Sequence, residues 1–539
     1  MLRTKENTVI YQIYPKSFQD SNGDGIGDLR GIINRLDYIQ SLGVDMIWIT
    51  PFFTSPMNDN GYDVADYRAI NPLFGTMDDF DELVDQAKKR NLDIMLDMVF
   101  NHTSTEHKWF KKALTGDPEY MDYYIFKDKP TNWISKFGGN AWEYVEHLDK
   151  YYLHLFDVTQ ADLNWDNPKV RQELYDVLNF WIAKGVKGFR MDVINLISKP
   201  EIYEDDLVGD GRRFYTDGPN IHQYLQEMND HTFGRHDDIL TVGEMSSTNI
   251  EDCSLYSGEK SNELSMVFSF HHLKVDYRDG QKWELADFEP KKLFDLWRLW
   301  QTELSEKGGW NALFLNNHDQ PRSVSRFGNK EYHQESASLL ATATFLMQGT
   351  PFIYQGEELG IPNTEYDNLD RYKDVEAINY IKEHQSNLGN DECLKVLNER
   401  SRDNGRTPMP WNLEDNYGFS STKPWLDFSL AEELIPASEQ MNRPSILTYY
   451  QALIALRKAN RAFQTGTIRF IDSDHEHLFN YIREDNNEHY LVLNNFSNNN
   501  YTYPLTTEIK KVLFSNQEVE YNKDVIEIKP YQAIVLQLI

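Results

Sequence analysis

At 539 residues the chain exceeds one ordinary domain, although a barrel of alternating strands and helices can absorb most of that length, so two or three domains are expected. The excess of 85 acidic over 54 basic residues gives a formal charge of -31, which excludes nucleic acid and anionic membrane as partners of the general surface. Any anionic ligand needs a local basic pocket. Cys253 and Cys393 are the only cysteines, too few for a disulfide framework or a cysteine zinc site, and they suit a reducing compartment.

Residues 1–15 hold no apolar run between a positive region and a small-residue cleavage site, and no stretch of roughly twenty apolar residues follows elsewhere. A cytoplasmic location is expected. Short apolar runs then recur at residues 9–15, 46–51, 94–101, 188–193, 239–244, 266–270, 312–317 and 351–355. Continuous apolar runs suit strands buried on both faces of a sheet, and helical spacing between several of them, at 29–42, 78–90, 168–184 and 335–347, completes alternating units. The helix over 168–184 is the plainest: Asn167 can cap it, Pro168 fits its first position, and Val170, Leu174, Val177, Leu178 and Trp181 form one face before Gly185 stops it. The pattern predicts an α/β fold, an eight-stranded (β/α)8 TIM barrel.

The largest early gap, between the third and fourth strands, is rich in Trp, Tyr, Phe and Gly, and predicts an inserted domain over residues 104–172. It would divide the barrel into 1–103 and 173–462 and overhang the barrel mouth. A polar stretch at 361–428 follows the eighth strand, and helical spacing at 445–460 closes the barrel. From residue 463 to 539 the pattern changes to alternation and turns, which predicts a C-terminal antiparallel β-sandwich.

Four predicted strands carry polar groups at their carboxyl ends: Asn101 and His102, Arg190 and Asp192, Glu244, and Asn317, His318 and Asp319. All would converge on one mouth. Glycoside hydrolysis needs one carboxylic acid to protonate the leaving oxygen and one carboxylate to attack or stabilise the sugar centre, and this set can provide both. A metal-hydrolase barrel would require paired histidines at the strand ends, where each end here has one. The loop after the first strand places Asp20, Asn22, Asp24, Ile26 and Asp28 at alternate positions with Gly25 at the turn, like the first nine positions of a calcium loop. Gly31 stands where the twelfth-position glutamate would be, so a helix-loop-helix calcium hand is excluded, and a metal-free Asp/Gly turn is the other reading.

Asp97-Met-Val-Phe-Asn-His102, Gly188-Phe-Arg-Met-Asp192, Glu244 in Thr-Val-Gly-Glu-Met and Asn317-His-Asp319 together resemble glycoside hydrolase family thirteen, the α-amylase superfamily. The resemblance covers nearly the whole chain. It implies Asp192 as the nucleophile forming a glucosyl-enzyme, Glu244 as general acid then base, and Asp319 as the carboxylate that distorts and holds the sugar. Arg190, His102 and His318 would position the sugar and the nucleophile. The segment Asn60-Gly-Tyr62-Asp63 is similar to one in which the tyrosine stacks on the terminal glucose and the aspartate binds its outer hydroxyls, together with an arginine such as Arg406. Residues 401–409 are similar to the exo-acting α-glucosidase branch, with Gly405 and, just beyond, Pro410 departing from its pattern. In that branch the 20–28 loop binds structural calcium, and Phe156 lines the site near the scissile bond.

Residues 151–165, 241–248 and 268–277 are similar to members of this branch that act on a phosphodisaccharide. That resemblance implies hydrolysis of trehalose 6-phosphate to glucose and glucose 6-phosphate by a monomeric enzyme with no organic cofactor. Lys274 and Lys282, following the sixth strand, could face the leaving group and meet its phosphate. The alternatives are an oligo-1,6-glucosidase acting on isomaltose-type ends and a non-catalytic relative that keeps the fold for binding.

Overall fold

The computed structural model describes residues 3–486 and 488–539. Eight parallel strands form the barrel: β1 (Ile10–Ile13), β2 (Met46–Ile49), β3 (Asp93–Met98), β4 (Gly188–Met191), β5 (Leu240–Glu244), β6 (Met266–Phe268), β7 (Ala312–Leu313) and β8 (Thr350–Tyr354). Each pairs with its sequence neighbours, β1 lies between β2 and β8, and a parallel bridge from Val267 to Asn311 closes the ring between β6 and β7. Nearly every residue of these strands is buried, as continuous apolar runs require when one face lines the barrel and the other packs under helices. At Gly188 a Cβ would lie 2.9 Å from Met46 Sδ and from Met95, so only glycine lets β4 start this close to its neighbours.

The helix Pro168–Ala183 forms as its sequence dictates: Asn167 accepts Lys169 N–H at its start, and its apolar face buries Leu174, Leu178 and Trp181. Two expected elements differ. Residues 29–42 form two helices, Leu29–Asn34 and Leu36–Leu42, with a break at Arg35 where φ is -109° and ψ is 7°. The Arg35 side chain turns instead to Gln19, at 2.7 Å, and over the Trp411 ring. The seventh strand stops at Leu313, because the polar residues that follow bind each other and the backbone: Asn316 accepts Ser323 N–H at 2.7 Å, and Asn317 accepts Asp319 N–H at 2.8 Å.

The insertion leaves the barrel through an antiparallel pair, His102–Ser104 with Gln160–Asp162, and contains a three-stranded sheet of Phe126–Lys127, Lys150–Leu153 and Trp142–Val145. Trp133 anchors its loop among Trp142, Tyr203, Phe214 and Tyr215.

The C-terminal domain is two antiparallel sheets. Alternation decides its packing: on His489–Asn494, Tyr490 and Val492 join the barrel core, while Leu491 and Leu493 pack with Ile526, Ile528, Ile534 and Leu536. Among the described residues, no helix is long and apolar enough to cross a membrane.

Candidate active site

Alternation along β4 sends Arg190 and Asp192 to the same side, and the register sets Arg190 directly opposite Asp97 of β3. Asp192 follows the strand's last residue, with its N–H donating to Met98 O at 2.9 Å. The next residue, Val193, has φ of +36°, a left-handed conformation that a β-branched side chain rarely adopts. This strained turn aims the Val193 N–H at Glu244 Oε2, 3.3 Å away.

Arg190, 1% exposed, ties the carboxylates together: Nη1 lies 2.6 Å from both Asp97 Oδ1 and Asp192 Oδ1, and Nη2 donates to Glu244 Oε2. Glu244 is also close enough to hydrogen-bond Asp192. Glycoside hydrolysis uses such a neighbouring pair, one carboxyl to attack or activate water and one to protonate the leaving oxygen. Burial pushes Asp192 well above the ordinary carboxylate range, with Glu244 and Asp97 adding to the push and Arg190 opposing it.

Asp319 is set differently. Burial works against its ionisation, but His318, Arg402 and Arg406 outweigh that and hold it well below the usual range. Arg406 Nη2 lies 2.7 Å and Arg402 Nη1 3.3 Å from its Oδ1. Asp192 and Asp319 thus have opposite ionisation tendencies within one mouth.

A cavity of about 310 Å³ opens above these groups. Asp59, Tyr62, His102, Gln160, Asp319 and Arg402 line it together with Asp192 and Glu244. Lys136, Phe156, Ser246, Lys274, Tyr277 and Lys282 complete its wall. Burial pulls His102 down to about 4, so the ring is neutral near pH 7. Its Nε2 lies 3.0 Å from Tyr62 O. Tyr62 stacks on His318 at 5.2 Å with rings 5° apart, and donates to Asp97 at 2.9 Å.

Tyr62, His102, Phe156, Lys274 and Lys282 therefore reach the cavity as the sequence suggests. Four other residues act from behind its wall or elsewhere. Asp63 does not face the cavity: it is 0% exposed, and its carboxylate accepts Ser55 Oγ and the N–H groups of Asn58 and Asp59. The Asp/Arg pair lining the cavity is Asp59 with Arg402, 3.4 Å apart, while Arg406 lies behind Asp319 as its support. Arg190 and His318 are likewise buried, positioning Asp192 and Asp319. Asp59 is pushed up to about 7 by burial, against the pull of Arg402 and Arg406. Asp59, Lys136, Gln160 and Arg402 are among the cavity residues that sequence reasoning misses. Asp59 and Arg402 each sit four residues before the Asp63 and Arg406 chosen from the same segments.

In the 20–28 loop, Asp20 accepts the N–H groups of Asn22, Gly23 and Gly25, Asn22 accepts Asp24 N–H, and Asp24 accepts Ile26 N–H. Asp28 caps the helix Leu29–Asn34 through Gly31 N–H and accepts Ser21. Among the described residues, no cluster of three or more His, Cys, Asp or Glu is arranged to hold a metal ion. The donors are nonetheless all oxygen, the chemistry of a hard cation site, and at Gly25 (φ +89°) a Cβ would come 2.3 Å from Lys423 O, so the loop is fixed against the 420–425 segment.

Because Arg190 is the shared counter-charge of three buried carboxylates, Arg190→Met is expected to destabilise the fold by about 3–5 kcal/mol and to remove activity. Chemical denaturation with circular dichroism checks the first. A variant as stable as the parent would show that the site relieves its charge another way.

The α-amylase catalytic-domain model matches residues 12–466, and the model of the C-terminal domain of the α-amylase SusG matches residues 478–535. A trehalose-6-phosphate hydrolase of Bacillus subtilis is 47% identical over 99% of this chain and 98% of its own length. An oligo-1,6-glucosidase of Bacillus cereus is 44% identical, with 99% of each chain covered. The crystal structure of the Bacillus licheniformis trehalose-6-phosphate hydrolase (TreA) superposes with a TM-score of 0.95 at 49% identity, covering 99% of each chain. With Asp192 and Glu244 bridged by Arg190 at the barrel mouth and this likeness along its whole length, the chain belongs to the α-amylase family of glycoside hydrolases.

Proposed function

We propose that the chain hydrolyses trehalose 6-phosphate to glucose and glucose 6-phosphate with retention at the anomeric carbon. The observation that carries the reading is the basic character of the cavity wall: on a chain of charge -31, Lys136, Lys274 and Lys282 line the same cavity as Asp192 and Glu244. Asp59, Arg402 and Asp319 in the same cavity supply polar groups that suit a terminal hexose. Relatives at 47–48% identity, from Bacillus subtilis and Escherichia coli, carry the name trehalose-6-phosphate hydrolase, and oligo-1,6-glucosidases follow at 44% and below.

In the first step Asp192 attacks the anomeric carbon while Glu244 protonates the departing glycosidic oxygen, giving a glucosyl-enzyme and glucose 6-phosphate. Arg190 holds both carboxyls and offsets the charge that moves between them. In the second step Glu244, now a carboxylate, takes a proton from water as the water displaces Asp192. Asp319 and His102 hold the sugar's hydroxyls through both steps, and the ionised state of Asp319 stabilises the oxocarbenium-like centre.

The test is kcat/KM for trehalose 6-phosphate, trehalose and isomaltose on one preparation. A preference of about a hundredfold or more for the phosphorylated sugar is expected, and a Lys274→Ala/Lys282→Ala double variant is expected to lose part of it. Preference for isomaltose would give the oligo-1,6-glucosidase reading instead. A phosphorylated substrate and a chain with two buried free cysteines fit the cytoplasm. The reading is of a monomer, since one chain supplies every group invoked.

The oxygen donors of the 20–28 loop support a structural calcium ion held by Asp20, Asn22, Asp24, Asp28 and the Ile26 carbonyl. Its role would be to fix the loop under residues 420–425, away from the chemistry. Calcium at a hundredfold over its Kd would add about 2.7 kcal/mol of stability. EDTA is therefore expected to lower Tm, with calcium restoring it and Asp20→Asn abolishing the difference. An unchanged Tm in the parent would give the metal-free turn.

A further inference from the structure

We propose that Lys136, from the inserted domain, is the principal phosphate contact of the leaving-group end, ahead of Lys282. The proposal rests on the phosphodisaccharide reading and names the residue that enforces it.

Lys136 is one of three lysines lining the cavity. Its backbone is fixed: Lys136 N–H donates to Leu155 O at 2.8 Å, and Ser135 Oγ donates to Phe156 O at 2.6 Å. Its stem lies near the rings of Phe156 and Tyr215, whose centroids are 6.0 and 5.8 Å from Nζ. Nζ donates to Ser246 Oγ at 3.0 Å, two residues beyond Glu244, which sets the ammonium beside the group that protonates the leaving oxygen.

Charge balance separates the three lysines. Lys282 Nζ is already bound to the Glu376 carboxylate, so a phosphate there must displace that partner or share its cation. Among the described residues, Lys136 and Lys274 have no carboxylate within 4.0 Å. Lys274 has the more accessible surface of the two, although burial and Arg212 pull it down as well, whereas Lys136 is half-buried with Nζ near aromatic rings, where screening by water is weaker. Burial first, then Arg212 and Lys274, pull Lys136 down to about 8, with Asp210 and Glu244 opposing. A dianion placed among Lys136, Lys274 and Arg212 relieves that crowding of positive charge. A neutral disaccharide leaves it in place.

The test uses the full chain and the variants Lys136→Met, which keeps the stem, and Lys136→Arg, which keeps the charge. For Lys136→Met, kcat/KM toward trehalose 6-phosphate is expected to fall roughly ten- to hundredfold, with inhibition by glucose 6-phosphate weakened in parallel. The loss on p-nitrophenyl α-glucoside, which carries no phosphate, should be several-fold smaller, and Lys136→Arg should recover most of the difference. In the parent, KM for the phosphorylated sugar should rise as pH passes about 8, a rise that Lys136→Met lacks.

Four results overturn the assignment. If the parent prefers the phosphorylated sugar and Lys136→Met retains that preference, Lys136 is not the contact while the substrate reading stands. Equal losses on both substrates would make Lys136 a wall of the cavity. A Lys282→Met loss larger than that of Lys136→Met would reverse the order. A parent indifferent to phosphate would remove the substrate reading, and this assignment with it.

Discussion

Replacing Asp192 by Asn is expected to reduce kcat/KM by on the order of 10⁴-fold or more while raising the thermal stability of the protein at neutral pH. The first effect follows from losing the attacking oxygen: the amide is isosteric with the carboxylate but cannot carry the glucosyl group through a double displacement. The second follows from linkage. Burial, Glu244 and Asp97 raise the Asp192 carboxyl well above its unfolded value, so ionising it costs more in the folded chain than in the unfolded one. For an acid shifted upward, the folded state binds the extra proton; its stabilising contribution is complete below the unfolded carboxyl pKa and is lost as pH rises through the folded value. Asn mimics the protonated form and keeps that contribution at pH 7. The Tm difference between variant and parent should therefore be largest at neutral pH and vanish in acid. Scanning calorimetry between pH 4 and 8 measures it; a variant less stable than the parent at pH 7 would mean that the Arg190 contact outweighs burial.

The barrel was readable from sequence because its strands are buried on both faces, so the apolar runs ending at Ile13, Ile49 and Met98 have no polar alternation to blur them. The strand ends were readable for the complementary reason: a charged Asp192 or Glu244 directly after such a run has no structural use inside a core. What sequence does not reveal is which of two nearby polar residues faces the cavity. Asp59 and Asp63 lie in one turn-rich segment, and only the bonds from Asn58, Asp59 and Ser55 show that Asp63 spends its carboxylate on the turn itself. Arg402 and Arg406 share an irregular stretch with no periodicity to orient them, and both converge on Asp319 from different depths. Lys136 was hidden for another reason. It belongs to the insertion, and its position over the mouth is set by Trp133 packing and by pairing with Leu155, contacts between segments far apart in the chain.

Glu244→Gln is expected to divide the reaction by leaving group. With trehalose 6-phosphate the departing sugar oxygen needs a proton, and loss of the acid should cost about 10³-fold or more in kcat/KM. With p-nitrophenyl α-glucoside the phenolate leaves without help, so kcat/KM, which reports the first step, should fall far less than kcat, because the second step still needs Glu244 as base. A burst of nitrophenol followed by slow turnover is the expected trace. Azide needs no base, so with Glu244→Ala it should restore turnover and yield the α-glucosyl azide, the anomer expected when Asp192 remains the nucleophile. The same substitution bears on charge. The Glu244 carboxylate is among the groups that push Asp192 upward, so with Gln in its place Asp192 should ionise at lower pH. The acid limb of kcat/KM on the activated glucoside should then move to lower pH in Glu244→Gln than in the parent. An unmoved limb would show that burial alone sets Asp192, and equal losses on both substrates would remove Glu244 from the role of acid.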